Sequence, residues 1–227
     1  MQETAQTHGS LMQRKKRAYF VTEFQLISRR LLMQHPNKKI TDLRRLRKLY
    51  EEGAVFTAFD TETTGISPTN SRIIEIGAVR FSQDGILAKW QHLFYPDQIL
   101  SPFIINLTHI TQEMVDAADP ISKHIRDFLS FLGSSIIVAH NAQFDLNFLN
   151  AECENCGLPL THNYAVDTLQ LSRVIYPEAE HHKLDFLADY LGIDKGASHR
   201  ALDDAITCMG LFNCCLHSER IHSLKKL

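Results

Sequence analysis

The stretch Val55-Phe56-Thr57-Ala58-Phe59-Asp60-Thr61-Glu62-Thr63-Thr64-Gly65 decides the fold, because it predicts a buried strand that ends in two acids. Its apolar and β-branched residues favour a strand, in which successive side chains point to opposite faces. Asp60 and Glu62 are two positions apart, so their carboxylates point the same way. Two like charges on one face repel each other and are costly to desolvate, and a divalent cation would remove that cost. From this stretch alone, a metal site and a pair of solvated acids are both open interpretations.

The composition is that of a globular chain without a membrane span. The 227 residues, 44% of them hydrophobic, fit one sizeable domain plus an appendage. No apolar run reaches the length of a membrane helix, and residues 1–11 lack the apolar centre of a signal peptide. The five cysteines have no disulfide-framework spacing. We therefore expect a cytoplasmic protein with no membrane partner.

The net charge of −2 hides an asymmetry between the two parts of the chain. Residues 1–52 carry a balance of +7, and the remainder carries −9. A basic arm beside an acidic body is typical of a nucleic-acid enzyme whose acids hold metal. It is equally typical of an ordinary helical extension docked on an acidic surface, so both interpretations stay open.

The N-terminal part is expected to form a helical hairpin over about residues 18–52. Apolar residues at helical spacing predict a helix at Ala18–Met33, and Pro36-Asn37 ends it. We expect Thr41 to cap a second helix, with Gly53 just past its end. The arginines and lysine on the other side of this helix form either a solvated face or a surface that holds nucleic-acid backbone.

The remaining pattern predicts a mixed α/β sheet. Arg72–Phe81 and Leu87–Phe94 predict two strands joined by a turn at Asp84-Gly85, which gives an antiparallel meander with the first strand. Ser135–Ala139 and Tyr164–Asp167 predict two more strands, each followed by a helix. Further helices are predicted at Ile121–Leu132 and at about Phe144–Cys153, Thr168–Val174, Lys183–Leu191 and Arg200–Leu216. Residues Pro102–Thr111 are predicted to form a loop or a short helix. The fold class is therefore α/β, a five-stranded mixed sheet flanked by helices, with an extension at 1–53 and a second domain at 54–222.

Two further acids and a histidine are candidates for the same site. Asp145 opens the helix after Ser135–Ala139, and ligands of open α/β sheets bind outside the carboxyl ends of strands. The alternative is that Asp145 only stabilises the N-terminus of its helix. His199 and Asp204 would not share a face of one helix, so His199 has to lie in the loop before it to act as a general base. Asp203 is also present, and spacing alone does not choose between the two aspartates.

Three segments resemble, in order, the three motifs of the DEDDh 3′–5′ exonucleases. They are Phe59-Asp60-Thr61-Glu62-Thr63-Thr64-Gly65, His140-Asn141-Ala142-Gln143-Phe144-Asp145 and His199-Arg200-Ala201-Leu202-Asp203-Asp204-Ala205. This family includes the epsilon subunit of bacterial DNA polymerase III, ribonuclease T and oligoribonuclease. The resemblance covers roughly residues 54–216 and implies a ribonuclease H-like fold, but it does not cover the N-terminal extension.

The resemblance also implies a two-metal phosphodiesterase. Asp60, Glu62, Asp145 and Asp204 match the acids that hold two Mg²⁺ (or Mn²⁺) ions, with Asp204 chosen over Asp203 by the family's spacing. His199 matches the general base. Thr61, Thr63 and Asn141 match positions that line the terminal nucleotide. One departure is His109, which stands where the family frequently has glycine, so contacts from that loop to the nucleotide are not carried over.

The resemblance predicts a 3′–5′ exonuclease acting on DNA, in proofreading during replication or in end trimming and repair. The expected partners are single-stranded or frayed 3′ ends, and a DNA polymerase is a further candidate. An RNA-trimming exonuclease and a non-catalytic module that binds a 3′ end or a polymerase are the alternatives. The chain stops soon after the last predicted helix, which favours a stand-alone or differently tethered enzyme. A single Cys153-x-x-Cys156 pair favours a helix end over a zinc site.

Overall fold

The computed structural model describes residues 37–196 and 199–227, so the predicted helix at Ala18–Met33 lies outside the described residues. The described part contains one five-stranded sheet in the order β3-β2-β1-β4-β5. Its strands are β1 Phe56–Thr63, β2 Ile73–Ser82, β3 Gly85–Leu93, β4 Ile136–Ala139 and β5 Ala165–Asp167. The first three strands pair antiparallel, whereas β1–β4 and β4–β5 pair parallel. The predicted mixed sheet is confirmed.

Eight α-helices surround this sheet in the described part of the chain. They are α1 Leu43–Glu51, α2 Pro102–Thr108, α3 Gln112–Asp116, α4 Ile125–Leu132, α5 Gln143–Asn155, α6 Thr168–Ile175, α7 Leu184–Leu191 and α8 Ala201–His217. The predicted helix at Ile121–Leu132 is divided into a 3₁₀ turn, Ile121–Lys123, and α4. A second 3₁₀ turn, Glu219–His222, follows α8. Among these described helices, none has the length and apolar character that a membrane crossing requires.

The N-cap of helix α1 lies one residue later than predicted. The N-cap is Asp42, not Thr41, because the Asp42 carboxylate accepts hydrogen bonds from the backbone N–H groups of Arg44 and Arg45 at 3.0 and 3.1 Å. The carbonyl of Thr41 instead accepts the N–H of Leu227 at 2.9 Å. An aspartate is a strong N-cap, and either neighbour suits that position by residue type. The division of the chain at residue 53 stays a prediction, since residues 1–36 are not described.

Strand β1 is buried on both faces between two apolar cores. Phe56 and Ala58 lie in one core, where Phe56 contacts Phe212 of α8 with ring centroids 5.0 Å apart. Phe59 points the opposite way, into the other core, and its ring lies 5.9 Å from that of Phe128 in α4. Alternation along the strand continues past Phe59, so the next side chains also point to alternate faces. The strand therefore presents polar groups to both helical layers at its carboxyl end.

Helix α8 crosses β2 at very short range, and Gly77 makes this crossing fit. A Cβ atom at Gly77 would lie 2.0 Å from the amide nitrogen of Leu202 and 2.2 Å from the carbonyl carbon of Ala201. No side chain fits at that distance, so the glycine allows the first turn of α8 to pack directly on the sheet. This packing fixes the height of the first turn of α8 above the sheet.

Candidate active site

Three acids from two elements meet at the carboxyl end of β1. Asp60 and Glu62 belong to the face of β1 that carries Phe56 and Ala58, and α8 covers that face. Asp204 lies in the first turn of α8. One carboxylate oxygen from each of Asp60, Glu62 and Asp204 lies within 4.8 Å of the others. The structure thus brings together three of the four predicted metal-site acids as one cluster.

The fourth acid, Asp145, approaches from the other helical layer. It lies in the first turn of α5 and is almost fully buried. Its Oδ1 accepts hydrogen bonds from the backbone N–H of Thr61 at 3.0 Å and from the Thr61 hydroxyl at 2.8 Å. Thr61 lies between Asp60 and Glu62 and points to the opposite face. The alternation of β1 therefore ties acids from both layers to one strand end.

Burial raises the pKa values of all four acids, and repulsion by the other site acids adds to this effect for Asp60 and Glu62. For Asp60, burial raises the pKa well above its usual range, and the charge of Asp145 adds to the effect. Burial raises the pKa of Glu62 to about 8, with Asp204 as the next cause. Burial likewise raises the pKa of Asp145 to about 7 and that of Asp204 to about 6. Without a counter-charge, this site resists full ionisation at neutral pH.

His199 lies in the turn before α8, as its predicted role requires. Its backbone is left-handed, with φ at 64°. The backbone N–H of His199 donates a hydrogen bond to Oδ2 of Asp204 at 3.0 Å. A left-handed conformation is uncommon for a residue with a side chain and points to a local constraint. The turn thus links the histidine directly to one of the clustered acids.

A cleft of about 680 Å³ opens beside the acids. His199, Asp60 and Asp204 line one part of it. The rest of its lining is mostly polar and comes from His140, Leu169, Arg173 and residues 180–185. His140 is held between the Thr168 hydroxyl and the carbonyl of His182, at 3.0 and 2.9 Å. A ligand in this cleft would meet both carboxylates and cationic side chains.

The three residues predicted to line a nucleotide each bind a different group of the protein. The hydroxyl and N–H of Thr61 both bind Asp145, as described above. The Thr63 hydroxyl donates to the carbonyl of Gly65 at 2.6 Å, within the turn after β1. Asn141 is exposed, with φ at 61°, and its N–H donates to Asp167 at 3.1 Å. Contact of these three residues with a nucleotide stays a prediction.

Two residues that help build the site were missed from the sequence. Glu75 in β2 is fully buried, and its carboxylate accepts two hydrogen bonds from the Arg200 guanidinium at 2.7 and 3.2 Å. It also accepts the N–H of Ala201, the first residue of α8, at 3.1 Å. These contacts anchor the start of α8 between His199 and Asp204. The available signal was an acid within the apolar run Ile73-Ile74-Glu75-Ile76, which requires a partner once buried.

The Cys153–Cys156 pair lies at a helix end, as expected. Cys153 is buried in α5, and Cys156 is the residue that ends this helix. Both thiols are free. Burial raises the pKa of Cys153 to about 12, which disfavours the thiolate that a metal would need.

The donor chemistry of the acid cluster fits a hard divalent cation. Carboxylate oxygens are the ligands preferred by Mg²⁺ and Mn²⁺, whereas zinc sites favour nitrogen and sulfur. Burial and the neighbouring carboxylates raise the pKa values of Asp60 and Glu62, although Arg200 acts on Glu62 in the opposite direction, so full ionisation requires further positive charge. A cation among Asp60, Glu62 and Asp204 would supply it.

Comparison with known proteins places the site in a family context. The exonuclease family model of the RNase T type matches residues 57–212. The chain is 43% identical over 164 residues to the DNA polymerase III subunit epsilon of Treponema pallidum (strain Nichols), which covers 71% of this chain and 76% of that protein. It is 40% identical over 154 residues to the PolC-type DNA polymerase III of Listeria innocua, covering 68% of this chain. The chain spans only 11% of that much longer relative.

A solved structure shares the fold. Exonuclease X in complex with 5′ overhanging duplex DNA aligns with a TM-score of 0.57 and 26% sequence identity, over 72% of this chain and 92% of that one. Such a likeness confirms the predicted ribonuclease H-like exonuclease architecture. The family model covers all three motifs that contain the clustered acids. The chain therefore belongs to the exonuclease family, in the 3′–5′ group that includes the epsilon subunit of DNA polymerase III.

Proposed function

We propose that this protein is a DEDDh-type, metal-dependent exonuclease that hydrolyses the terminal phosphodiester bond at the 3′ end of DNA. The observation that carries the proposal is the meeting of Asp60, Glu62 and Asp204 within 4.8 Å, beside His199. Asp145 completes the set of acids through its bonds to Thr61. Together these four carboxylates would hold two Mg²⁺ or Mn²⁺ ions. When bound, the ions would neutralise the phosphate and acidify the attacking water.

Apart from the metal ions, the residues of the chain have two roles: they position the reacting groups, and they accept a proton. The carboxylates would hold the cations in one place, and bound cations would orient the reacting phosphate. Glu75 and Arg200 hold the start of α8, so His199 and Asp204 keep their separation. The imidazole of His199 accepts the proton of the attacking water, since a histidine changes protonation near neutral pH. Thr61, Thr63 and Asn141 line the terminal nucleotide in this proposal.

DNA is the proposed substrate, and a DNA polymerase is the proposed protein partner. The likeness to an epsilon subunit supports both, because that relative is named as a polymerase subunit. Exonuclease X in its DNA complex supports the first. A cytoplasmic location stays a prediction from the sequence.

The test uses an isosteric substitution with a matched control. Asp60→Asn and Asp204→Asn each remove one charge from the cluster, and Asp203→Asn removes the adjacent charge in the same turn of α8. We expect the first two variants to lose more than about a hundredfold in kcat on 3′-labelled DNA with magnesium. Asp203→Asn should keep its activity. The same assay on labelled RNA measures whether DNA is preferred.

Retained activity in the Asp60 variant would contradict the proposal. Magnesium-dependent cleavage by Asp60→Asn at the wild-type rate would show that the cluster is not the metal site. A circular dichroism spectrum equal to that of the wild type is the check that each variant is folded.

A further inference from the structure

A strongly basic surface lies outside the part of the chain that matches the exonuclease family. Between residues 37 and 48, six lysine and arginine residues accompany one acid, Asp42. The family model begins only at residue 57 and ends at 212. We call the following set the basic strip: Lys38, Lys39, Arg44, Arg45, Arg47, Lys48, Lys225 and Lys226.

Backbone hydrogen bonds bring the chain segments that carry the strip next to one another. Lys39 forms a parallel bridge with Ala165, in which the Ile40 N–H donates to the Ala165 carbonyl at 2.9 Å. The Ala165 N–H in turn donates to Lys38 at 3.0 Å. At the start of α1, the N–H of Leu43 donates to the carbonyl of Lys225 at 3.2 Å. The C-terminal lysines therefore lie beside α1, on the side of the sheet where β5 is.

The positive charges of the strip are only partly compensated. Asp42, its one acid within 37–48, is engaged in capping α1. Arg44 and Arg45 are exposed, and the Arg45 guanidinium lies 5.0 Å from the centre of the Tyr164 ring. Glu51 and Glu52, one helical turn on, offset the charges of Arg47 and Lys48. Arg44 and Arg45 form no ion pair with the described residues, so they carry the uncompensated charge of α1. A surface of this charge attracts a polyanion.

One residue of the strip, Lys39, reaches toward the candidate active site. The ammonium of Lys39 lies 3.9 Å from Oδ2 of Asp167, the last residue of β5. The other oxygen of Asp167 accepts the N–H of Asn141, the second residue after β4. Lys39 is thus linked through the carboxyl ends of β5 and β4 to the same end of the sheet at which Asp60 and Asp145 lie.

We propose that the basic strip binds the phosphate backbone of the substrate DNA, away from the 3′ end that is cut. This inference rests on the proposed function. Helix α1 has nine residues, which gives it a length of about 13 Å. In duplex DNA each strand carries a phosphate about every 3.4 Å of helix axis, and a single strand of a few nucleotides likewise brings more than one phosphate within reach of α1. These contacts hold long DNA regardless of its sequence.

The experiment compares two double variants that remove equal charge from the full chain. Arg44→Gln/Arg45→Gln changes the strip, and Lys89→Gln/Lys123→Gln changes exposed cations elsewhere, with Lys89 on β3 at the other edge of the sheet. For the strip variant we expect KM on a long single strand to rise about tenfold with kcat unchanged. The slope of log KM against log salt should fall by about 1.4. Hydrolysis of a dinucleotide, which is too short to reach the strip, should not change.

Three outcomes decide the inference. A strip variant that matches the control on long DNA would overturn it, and so would an equal loss on the dinucleotide and the long strand. Lys225→Gln/Lys226→Gln repeats the test without altering α1. Binding of labelled DNA in EDTA is measured in parallel. If the wild type binds DNA through Arg44 and Arg45 but does not cut it, the strip stands and the proposed function fails.

Discussion

His199 contributes to the site through both its backbone and its side chain. Its backbone N–H holds Asp204, and its imidazole is the proposed base. His199→Asn should separate them, because asparagine tolerates the left-handed backbone and keeps the N–H. We expect kcat at pH 7 to fall by about 10²–10⁴ while the affinity for Mn²⁺ stays the same. Single-turnover kinetics and metal titration measure the two quantities.

The rate of this variant should rise with hydroxide concentration, so that its deficit becomes smaller at alkaline pH. A general base contributes less when hydroxide can act in its place. If His199→Asn cleaves DNA at close to the wild-type rate at pH 7, another group accepts the proton.

At the scale of residues, the sequence predicts which side chains belong to the site better than it predicts their hydrogen-bond partners. Strand alternation and spacing are enough to place Asp60 with Glu62 and to put His199 before a helix. The bonds from Thr61 to Asp145 depend on which helix covers which face of β1, and no local pattern contains that information. The same holds for the choice of Asp42 over Thr41 as a cap, since the Thr41 carbonyl receives the distant Leu227 N–H.

At the scale of elements, the start of α8 depends on the buried pair of Glu75 and Arg200. Glu75→Gln removes the charge that Arg200 and the Ala201 N–H share. We expect the free energy of unfolding to fall by about 1–3 kcal/mol, because Glu75 is fully buried whereas Arg200 is partly exposed. The apparent affinity for Mg²⁺ should weaken by about 10–100-fold, because α8 also carries Asp204. Urea denaturation and magnesium-dependent rates test the two effects.

A second buried ion pair provides the matched control. Arg72 and Glu152 form two hydrogen bonds at 2.7 and 2.8 Å, between the start of β2 and the far part of α5. Glu152→Gln should cost stability as well, but its magnesium dependence should stay that of the wild type. An equal shift of magnesium dependence in both variants would mean that general loosening, and not the position of α8, is the cause.

Long elements with a clear period and the short apolar strands β4 and β5 were predictable, whereas the shortest helix was not. The spacing of apolar residues is sufficient for α8 and for the meander of β1 to β3. Helix α3 has only five residues, which is too few for a period to show. The break of the predicted helix at His124 likewise has no glycine or proline to mark it.

At the scale of the whole molecule, the acid cluster makes stability depend on pH and on metal. Folding raises the pKa of Glu62 to about 8, of Asp145 to about 7 and of Asp204 to about 6, with burial as the first cause. The folded state therefore binds these protons more tightly than the unfolded state, where the pKa values are about 4. Their contribution is fully present below about pH 4 and is lost as pH rises through 6 to 8.

We accordingly expect the melting temperature in EDTA to fall between pH 5 and pH 8, and saturating Mg²⁺ to restore it at pH 8. Other groups also titrate, so Glu62→Gln serves as the reference. Its melting temperature should fall less over the same range and should respond less to Mg²⁺. Wild-type and variant curves that run parallel in EDTA would contradict the assignment. Differential scanning calorimetry provides the measurement.

The segment before α1 has a consequence for the handling of this protein. Residues Lys38 and Ile40 occupy the outer hydrogen-bonding groups of Ala165 in β5. A shortened chain that starts at Ala54, where the resemblance to the family begins, would keep β4 beside β5 but would leave the outer edge of β5 unpaired. Unpaired strand edges act as templates on which other molecules add. Trimming the chain to its recognisable part would therefore favour aggregation, even with every catalytic group retained.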